Sequence, residues 1–420
     1  MRGLIHIVTP RLRGMAVYCI IAGARSNQQL IQFFGKFIVW QSRRERMKIM
    51  GIFYSIDLQS GEGKHAGVKA PSDISLIAHE MGMTGFLFPA QKYMFPKGID
   101  VIKGKIWLLK TCSERWKELC RTVGEGDIVL YQHPMYGARA ALKYIPAIKR
   151  EKGCRFIALI HDLESLRMGV QGLYTKSRKT AEISDQNLLK QFDAVICHNE
   201  HMRQYLIEKG FEPEKLVSLE IFDYLTKEEM CHRVRGKEPS LAVAGNLHPG
   251  KSGYLYEMFR NNGETKNREL TVNAYGVNFQ SDGVSECIRY QGAFPADKLP
   301  GVLKGDFGLV WDGPSAESCA GNTGEYLRYN NPHKASLYLT SGMPVMVWEE
   351  AAIADFVKKY HVGITIRNLY EAAEMISGVS DEEYREMCEN AAQVGQKLRE
   401  GYFFRRAFQE CVKNLEKQRE

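Results

Sequence analysis

Two stretches of the 420-residue chain join a lysine to small or helix-opening residues, a combination that suits an anionic ligand. In Gly245-Asn246-Leu247-His248-Pro249-Gly250-Lys251-Ser252, backbone N–H groups of a small-residue turn can approach phosphate oxygens while Lys251 neutralises them. Its likeness to a Walker phosphate loop is superficial, because Gly245 to Lys251 is one residue short and contains Pro249. It reads as a generic anion-binding turn or as plain loop. The second stretch is Tyr329-Asn330-Asn331-Pro332-His333-Lys334-Ala335-Ser336, which follows the glycine-bearing loop Gly313 to Gly324. Pro332 suits a first helical turn and Asn331 can cap it, placing His333, Lys334 and Ser336 at a helix amino end. Aligned N–H dipoles and a full positive charge stabilise a diphosphate there. An ordinary capped helix with a solvated Lys334 is the plainer alternative, but capping accounts only for Asn331 and Pro332.

A third stretch carries acid–base chemistry. The apolar run Phe156 to Ile160 ends in His161-Asp162-Leu163-Glu164-Ser165-Leu166-Arg167, and a carboxylate at a strand's carboxyl end is a candidate general base for an incoming hydroxyl. Asp162 could equally pair with Arg167 or cap the next helix, and the residues alone lean slightly that way. His133, closing the run VLYQHP, is the rival base. His198 and His201 lack a third metal ligand nearby and read as surface or capping residues. None of the fourteen aspartates lies two residues from another, so the DxD pair that holds a divalent ion in metal-dependent sugar transfer is absent. Leaving-group charge would then fall to Lys251, Lys334 and helix dipoles.

The elements that must position these residues alternate. From Met47 onward, short β-branched runs alternate with helix-period segments, the pattern of βα units around parallel sheets. Strands are expected at 49–55, 85–88, 128–132, 156–160, 194–198 and 216–219, then, after the polar stretch Thr226 to Ser240, at 241–244, 270–274, 288–290, 307–311 and 345–347. This predicts a basic extension over 1–46, a Rossmann-like domain over 47–235, a second over 236–400 and a final helix over 401–420. A ligand cleft between two such domains faces the carboxyl ends of both sets of strands. The helical tail could cross back over the first domain. Its Tyr402-Phe403-Phe404-Arg405-Arg406 segment could as easily join two copies of the chain as a homo-oligomer.

At 44% hydrophobic and 25% charged residues the composition is that of a globular protein. The net charge of +8 is concentrated at one end: residues 1–46 hold eight basic residues against Glu45, leaving 49 basic and 48 acidic side chains from Met47 onward. A basic groove for nucleic acid is not supported. Residues 1–46 read first as an over-extended start or disordered leader, then as a basic arm at a membrane surface, then as a secretion signal. Ten cysteines without a CxxC spacing read as reduced thiols, so a cytoplasmic protein is expected, with peripheral contact at the inner face of the membrane left open.

At these motifs the sequence resembles bacterial glycosyltransferases of the group that includes β-1,6-galactofuranosyltransferases and the glucosyltransferases extending glycans on serine-rich adhesins. The matching stretches are AGVKAPSDI (66–74), LIHDLESLR (159–167), FDAVICHNEHM (192–202), LVSLEIFDYL (216–225), AVAGNL with KS (242–252), GLVWDG (308–313) and YNNPHKASLYLTSGMPVMVW (329–348). NNPHK is the most specific, and the stretches span nearly all of 47–400. The resemblance implies a GT-B fold, an α/β architecture of two Rossmann-like domains across a cleft, with no essential metal, no cofactor and a UDP-sugar donor bound mainly by the second domain. It implies that Asn330 and Lys334 contact the donor, within a surface that includes Tyr329, Asn331, His333, Ser336 and Asp312. Asn246 and Lys251 would lie near the diphosphate beside Gly245 and Ser252, and Phe294 of the YQGAF loop against uracil. The acceptor, a glycan or glycoprotein glycan, would enter by the Asp57 to Asp73 loop, with Lys69 and Asp73, and by the His161 to Arg167 loop. Gly61 to His65 adds glycine and charge there, which leaves acceptor identity open.

The implied reaction moves a hexosyl or galactofuranosyl group from a UDP-sugar to a glycan hydroxyl. If it inverts the anomeric carbon, Asp162 is the first choice of base and His133 the second. A UDP-sugar 2-epimerase and a non-catalytic glycan- or partner-binding scaffold share the layout. Acceptor-independent conversion of UDP-sugar, or UDP binding without turnover, would reveal them.

Overall fold

The computed structural model describes residues 51–58, 66–88, 99–167, 181–259 and 267–418. The chain divides into Met1–Ile52, almost wholly outside those residues, and Phe53–Glu420, which is the unit described below. The expectations for the basic N-terminal segment and for Gly61 to His65 lie outside the described residues.

The first sheet has six parallel strands, β1 (Phe53–Leu58), β2 (Thr84–Phe88), β3 (Ile128–His133), β4 (Arg155–Ile160), β5 (Ala194–Cys197) and β6 (Leu216–Ser218), in the order β2-β1-β3-β4-β5-β6. All six residues of β3 are buried, as expected of a parallel strand covered on both faces. Covering helices include α1 (Ala66–Glu80), α2 (Ile99–Thr122), α3 (Ala138–Lys152) and α4 (Glu200–Glu208). Trp116 of α2 packs edge-on to Phe88 with ring centroids 5.0 Å apart and lies near Tyr131 and Phe156, forming the aromatic centre of this half. β1 starts and ends later than the sequence reading, so Asp57 sits inside a strand and Lys69 and Asp73 inside α1.

The second sheet repeats the design with β7 (Ser240–Asn246), β8 (Thr271–Val277), β9 (Ile288–Gly292), β10 (Phe307–Val310), β11 (Val345–Trp348) and β12 (Gly363–Ile366), ordered β12-β11-β10-β7-β8-β9. The sequence reading lacked β12, a four-residue edge strand opened by glycine. Helix α5 (His333–Thr340) packs on β10 at Gly308, where an added Cβ would lie 2.1 Å from the Tyr338 ring. Tyr338 in turn accepts the Ala244 N–H on β7 at 2.8 Å, which fixes α5 over both strands.

Helix α6 (Asp381–Arg399), opened by a Ser380–Glu383 capping box, packs against α5. The chain then turns at Gly401, in the left-handed region at φ 69°, into α7 (Tyr402–Lys417), which crosses back to the first sheet. Phe403, Phe404, Phe408, Cys411 and Leu415 of α7 are buried. Asp223, at the end of the first half, accepts the Phe403 and Phe404 N–H groups at 3.1 and 2.7 Å and so caps α7. The aromatic–basic segment therefore packs on its own first half.

Candidate functional site

In each sheet the strand order reverses at one place, and open parallel sheets bind ligands at the carboxyl ends of the strands flanking such a reversal. In the second sheet that place lies between β7 and β10. β7 ends at Asn246 and leads into the single helical turn Pro249–Ser252, while β10 leads into Trp311-Asp312-Gly313. The two loops are joined, with Gly313 N–H donating to Lys251 O at 2.7 Å. Asp312 sits between two ammonium groups: Lys334 Nζ donates to its Oδ1 at 2.7 Å and to Trp311 O at 2.8 Å, and Lys251 Nζ lies 3.7 Å from its Oδ2. Both predicted lysines thus converge, with a carboxylate between them that the anion argument had not included. The Lys251 side chain is 41% exposed and that of Lys334 only 14%.

Helix periodicity sorts the Asn330 to Ser336 block into two faces. Lys334 and Tyr338, four apart, face the sheet. His333, Ser336 and Thr340 face the chain segment that leaves the first half. There His333 stacks on Tyr224 with centroids 4.9 Å apart, Ser336 Oγ donates to Phe222 O at 2.6 Å, and Thr340 Oγ1 donates to Tyr224 O at 3.3 Å. Ser336 is therefore a brace for the crossing chain and is turned away from the lysine pair. Asn331 does not cap α5; Pro332 occupies that position in extended conformation. Instead Asn331 is buried and clasps the two halves: its Nδ2 donates to His198 O at 2.5 Å and Glu220 O at 3.0 Å, and its Oδ1 accepts from Asn199 Nδ2 at 2.7 Å. Tyr329 lies edge-on to Tyr205 of the first half at 5.4 Å. Asn330 Oδ1 and His333 Nε2 are buried with no hydrogen-bond partner.

Across the joint, Asp162 follows β4. It neither caps the short helix Glu164–Arg167 nor takes the near contacts of Arg167, whose Nη2 donates to both Glu164 oxygens at 2.7 and 2.8 Å. Asp185, from the π-helical segment Ile183–Leu188, fills the capping role by accepting Ser165 N–H and Oγ–H, both at 2.7 Å. Its other oxygen accepts from His133 Nε2 at 2.9 Å. Burial pushes Asp162 up to about 6, against the opposing pull of Arg167, a hydrogen bond from Tyr326, and Lys251 from the second half. His133, the rival base, is wholly buried and held by Asp185, which removes it from contact with an acceptor.

The remaining candidates are dispersed. Lys69 donates to Asp73 and to Leu225 O, both at 2.5 Å, and Asp73 accepts Leu225 N–H at 3.0 Å, so this pair braces the crossing chain and has little capacity left for an acceptor. His161 stacks on Phe222 at 5.4 Å and donates to Gln132 Oε1 at 2.7 Å. His198 accepts Asn331 N–H and is bonded to Ile160 O, which makes it a joint residue, whereas His201 is an exposed partner of Asp355. Burial lowers His161 and His198 to about 3 and His333 to about 4. Asn246 Oδ1 accepts His248 N–H and Asn278 Nδ2–H, and Ser252 Oγ donates to Asn246 O, so these side chains shape the turn. Gly245, at φ 139°, lies within β7 just before the turn. Phe294 lies just past β9 and is 36% exposed. The sequence reading missed Tyr326, Asp185 and Ser165.

Among the described residues, no three His, Cys, Asp or Glu side chains are grouped to hold a metal ion, and no helix is long and apolar enough to cross a membrane. The nine described cysteines are unpaired.

Two parallel Rossmann-like halves, each with its strand order reversing once, make up a GT-B fold. The fold matches sucrose-phosphate synthase of Thermosynechococcus elongatus (TM-score 0.56, 12% identity, 88% of this chain and 98% of that one) and a Rickettsia africae glycosyltransferase (TM-score 0.53, 11% identity, 87% and 98%). Residues 54–221 match the N-terminal and 241–411 the C-terminal domain of the glucosyltransferase 3-like family. The β-1,6-galactofuranosyltransferase WbbI of Escherichia coli K12 is 33% identical over 69% of this chain and 80% of its own length; Glucosyltransferase 3 of Streptococcus gordonii is 25% identical over 85% and 97%. The chain belongs to the glucosyltransferase 3-like family of glycosyltransferases.

Proposed function

We propose that the chain moves a hexosyl or galactofuranosyl group from a UDP-sugar to a hydroxyl of a cell-surface glycan or glycoprotein glycan, without a metal ion. The observation that carries this reading is the Lys251–Asp312–Lys334 cluster at the switch point beside the amino end of α5. Two ammonium groups against one carboxylate leave a net positive charge for a diphosphate, and the helix dipole adds to it. Asn330 Oδ1, buried and unpartnered, is an acceptor that a donor hydroxyl would satisfy. Phe294, in the loop past the end of β9, would lie against the uracil.

In an inverting transfer the acceptor O–H gives its proton to the Asp162 carboxylate, and the oxygen bonds to the anomeric carbon. The bond from that carbon to the phosphate oxygen breaks, and UDP leaves with the electron pair. The lysines offset the added negative charge, and the raised Asp162 makes a stronger base that is still mostly ionised at neutral pH. The names of the two relatives support the sugar classes. The unpaired cysteines fit action in a reducing compartment such as the cytoplasm.

The test incubates full-length protein with UDP-, GDP- and dTDP-sugars, with and without glycan acceptors, in EDTA or with added Mg²⁺. Acceptor-dependent UDP release unaffected by EDTA is expected. Preference for another nucleotide, or loss of turnover on chelation, would overturn the corresponding part of the proposal.

A further inference from the structure

Helix α2 is longer than the sheet it covers. It ends just before β3 begins, so it runs toward the amino ends of the strands and its first half points to their carboxyl ends. Cys112, midway along α2, is already level with the end of β3: its Sγ lies 3.9 Å from Tyr136 O, and an added Cβ on Gly137, the residue before α3, would lie 2.8 Å from that sulfur. The stretch from Ile99 to Thr111 therefore continues for about 20 Å, at 1.5 Å per residue, past the edge from which the Asp162 loop departs. Three large apolar side chains on it are exposed. Ile102, Ile106 and Leu109, spaced four and three apart on one face, are 59%, 62% and 51% exposed. Lys103, Lys110 and Lys117, seven apart, form the adjoining exposed row. Helix α3 packs beside α2 and extends the charge: the two helices hold eleven basic residues against four acidic, in a chain that from Met47 onward is nearly neutral.

We propose that this face of the first half, the projecting part of α2 with the basic surface of α2 and α3, seats on an anionic phospholipid bilayer. The aliphatic stripe enters the boundary between headgroups and acyl chains while the lysine row meets lipid phosphates, as in an interfacial amphipathic helix. Charge selects this occupant. A second copy docked face to face would bring two basic surfaces together. Residues 1–46 carry eight basic residues against Glu45, so they too are repelled. An anionic bilayer complements both the charge and the stripe. Seating brings the edge that carries the Asp162 loop to the membrane surface, and the docking itself does not depend on the reaction assigned to that site.

The test sediments full-length protein with vesicles of phosphatidylcholine alone and with vesicles that also contain phosphatidylglycerol. Binding is expected only to the second kind, and it should weaken as salt is raised. Lys110→Glu combined with Lys117→Glu should weaken it at least about tenfold, since each lysine near such a surface contributes roughly fivefold. Ile102→Ser combined with Ile106→Ser should weaken it roughly tenfold by removing the inserted stripe. All four side chains are exposed, so UDP affinity and thermal stability should stay at wild-type values in both double variants. No binding to the anionic vesicles, equal binding to both kinds, or binding that either pair of substitutions leaves unchanged would overturn the proposal. In the last case the basic residues 1–46 or another surface hold the protein to lipid.

Discussion

Lys334→Ala tests the electrostatic core of the site. The Lys334 ammonium lies 2.7 Å from Asp312 and 2.8 Å from Trp311 O, with its side chain 14% exposed, so it is preorganised and poorly screened by water. A charge-assisted hydrogen bond to a phosphate oxygen contributes about 1.5–3 kcal/mol. Diphosphate binding also draws Lys334 partly away from Asp312, so the net loss in the variant should be near the lower part of that range. About 2 kcal/mol corresponds to a roughly thirtyfold weaker UDP dissociation constant at 25 °C. Asp312→Asn should act in the opposite sense, tightening UDP severalfold, because it removes the carboxylate that competes for both lysines. Calorimetric titration with UDP and with uridine checks both: uridine lacks the diphosphate, so its weaker affinity should be the same in all variants. Unchanged UDP affinity in Lys334→Ala would refute the reasoning, and a parallel loss for uridine would show that the substitution had disturbed the fold. Asp312 left beside Lys251 alone should also lower stability, and Lys334→Ala combined with Asp312→Asn should recover part of that loss in a denaturant melt.

Four further outcomes are expected. Asp162→Asn should reduce kcat by about 10²–10⁴-fold with UDP binding intact. Because the base must be ionised and Asp162 is raised to about 6 by burial, wild-type kcat/KM should climb with pH through that value to a plateau; a profile flat from pH 5 to 8 would contradict the assignment. Lys251 holds Asp162 down from across the joint, so Lys251→Ala should move this limb upward, whereas Lys334→Ala, which weakens UDP more specifically, should leave it in place. Asn331→Ala strands several partners at the joint and should cost about 2–4 kcal/mol in chemical denaturation; a change under about 0.5 kcal/mol would show that the clasp contributes little.

The strands were legible because a parallel sheet buried on both faces needs continuous apolar runs, and such runs as Ile128 to His133 and Phe156 to Ile160 stand out in the sequence. The lysine pair was legible for a similar reason, since small residues followed by lysine at a strand end mark a loop that can take an anion. The division of the Asn330 to Ser336 block was not. Pro332 is the cap and His333 the first helical residue, and that starting point decides which side chains face Asp312 and which face Phe222 and Tyr224. Contacts across long separations were likewise unreadable. Tyr326 reaches Leu163, 163 residues away, and Asp185 reaches His133, 52 residues away. Neither carries a local motif: Tyr326 is placed by the docking of one half on the other, and Asp185 by the packing of its helical segment within the first half.

One cause divides the chemistry among the groups gathered at that docking surface. Burial penalises whichever form is charged, so it raises Asp162 and lowers His161, His198 and His333. At neutral pH the imidazoles are then uncharged hydrogen-bonding groups, while Asp162 remains largely ionised with an affinity for protons well above that of a solvated carboxylate. In the proposed transfer, positive charge for the leaving group would come from Lys251 and Lys334, both paired with Asp312. A histidine at position 334 would change charge with pH where lysine does not, because an imidazole's ordinary pKa of about 6.5 leaves it mostly neutral at pH 7.5 and mostly charged at pH 5.5. Lys334→His should therefore bind UDP about as weakly as Lys334→Ala at pH 7.5 and regain affinity as the pH is lowered toward 5.5. Equal UDP affinity of the two variants across that range would mean that charge at this position is not what holds the diphosphate.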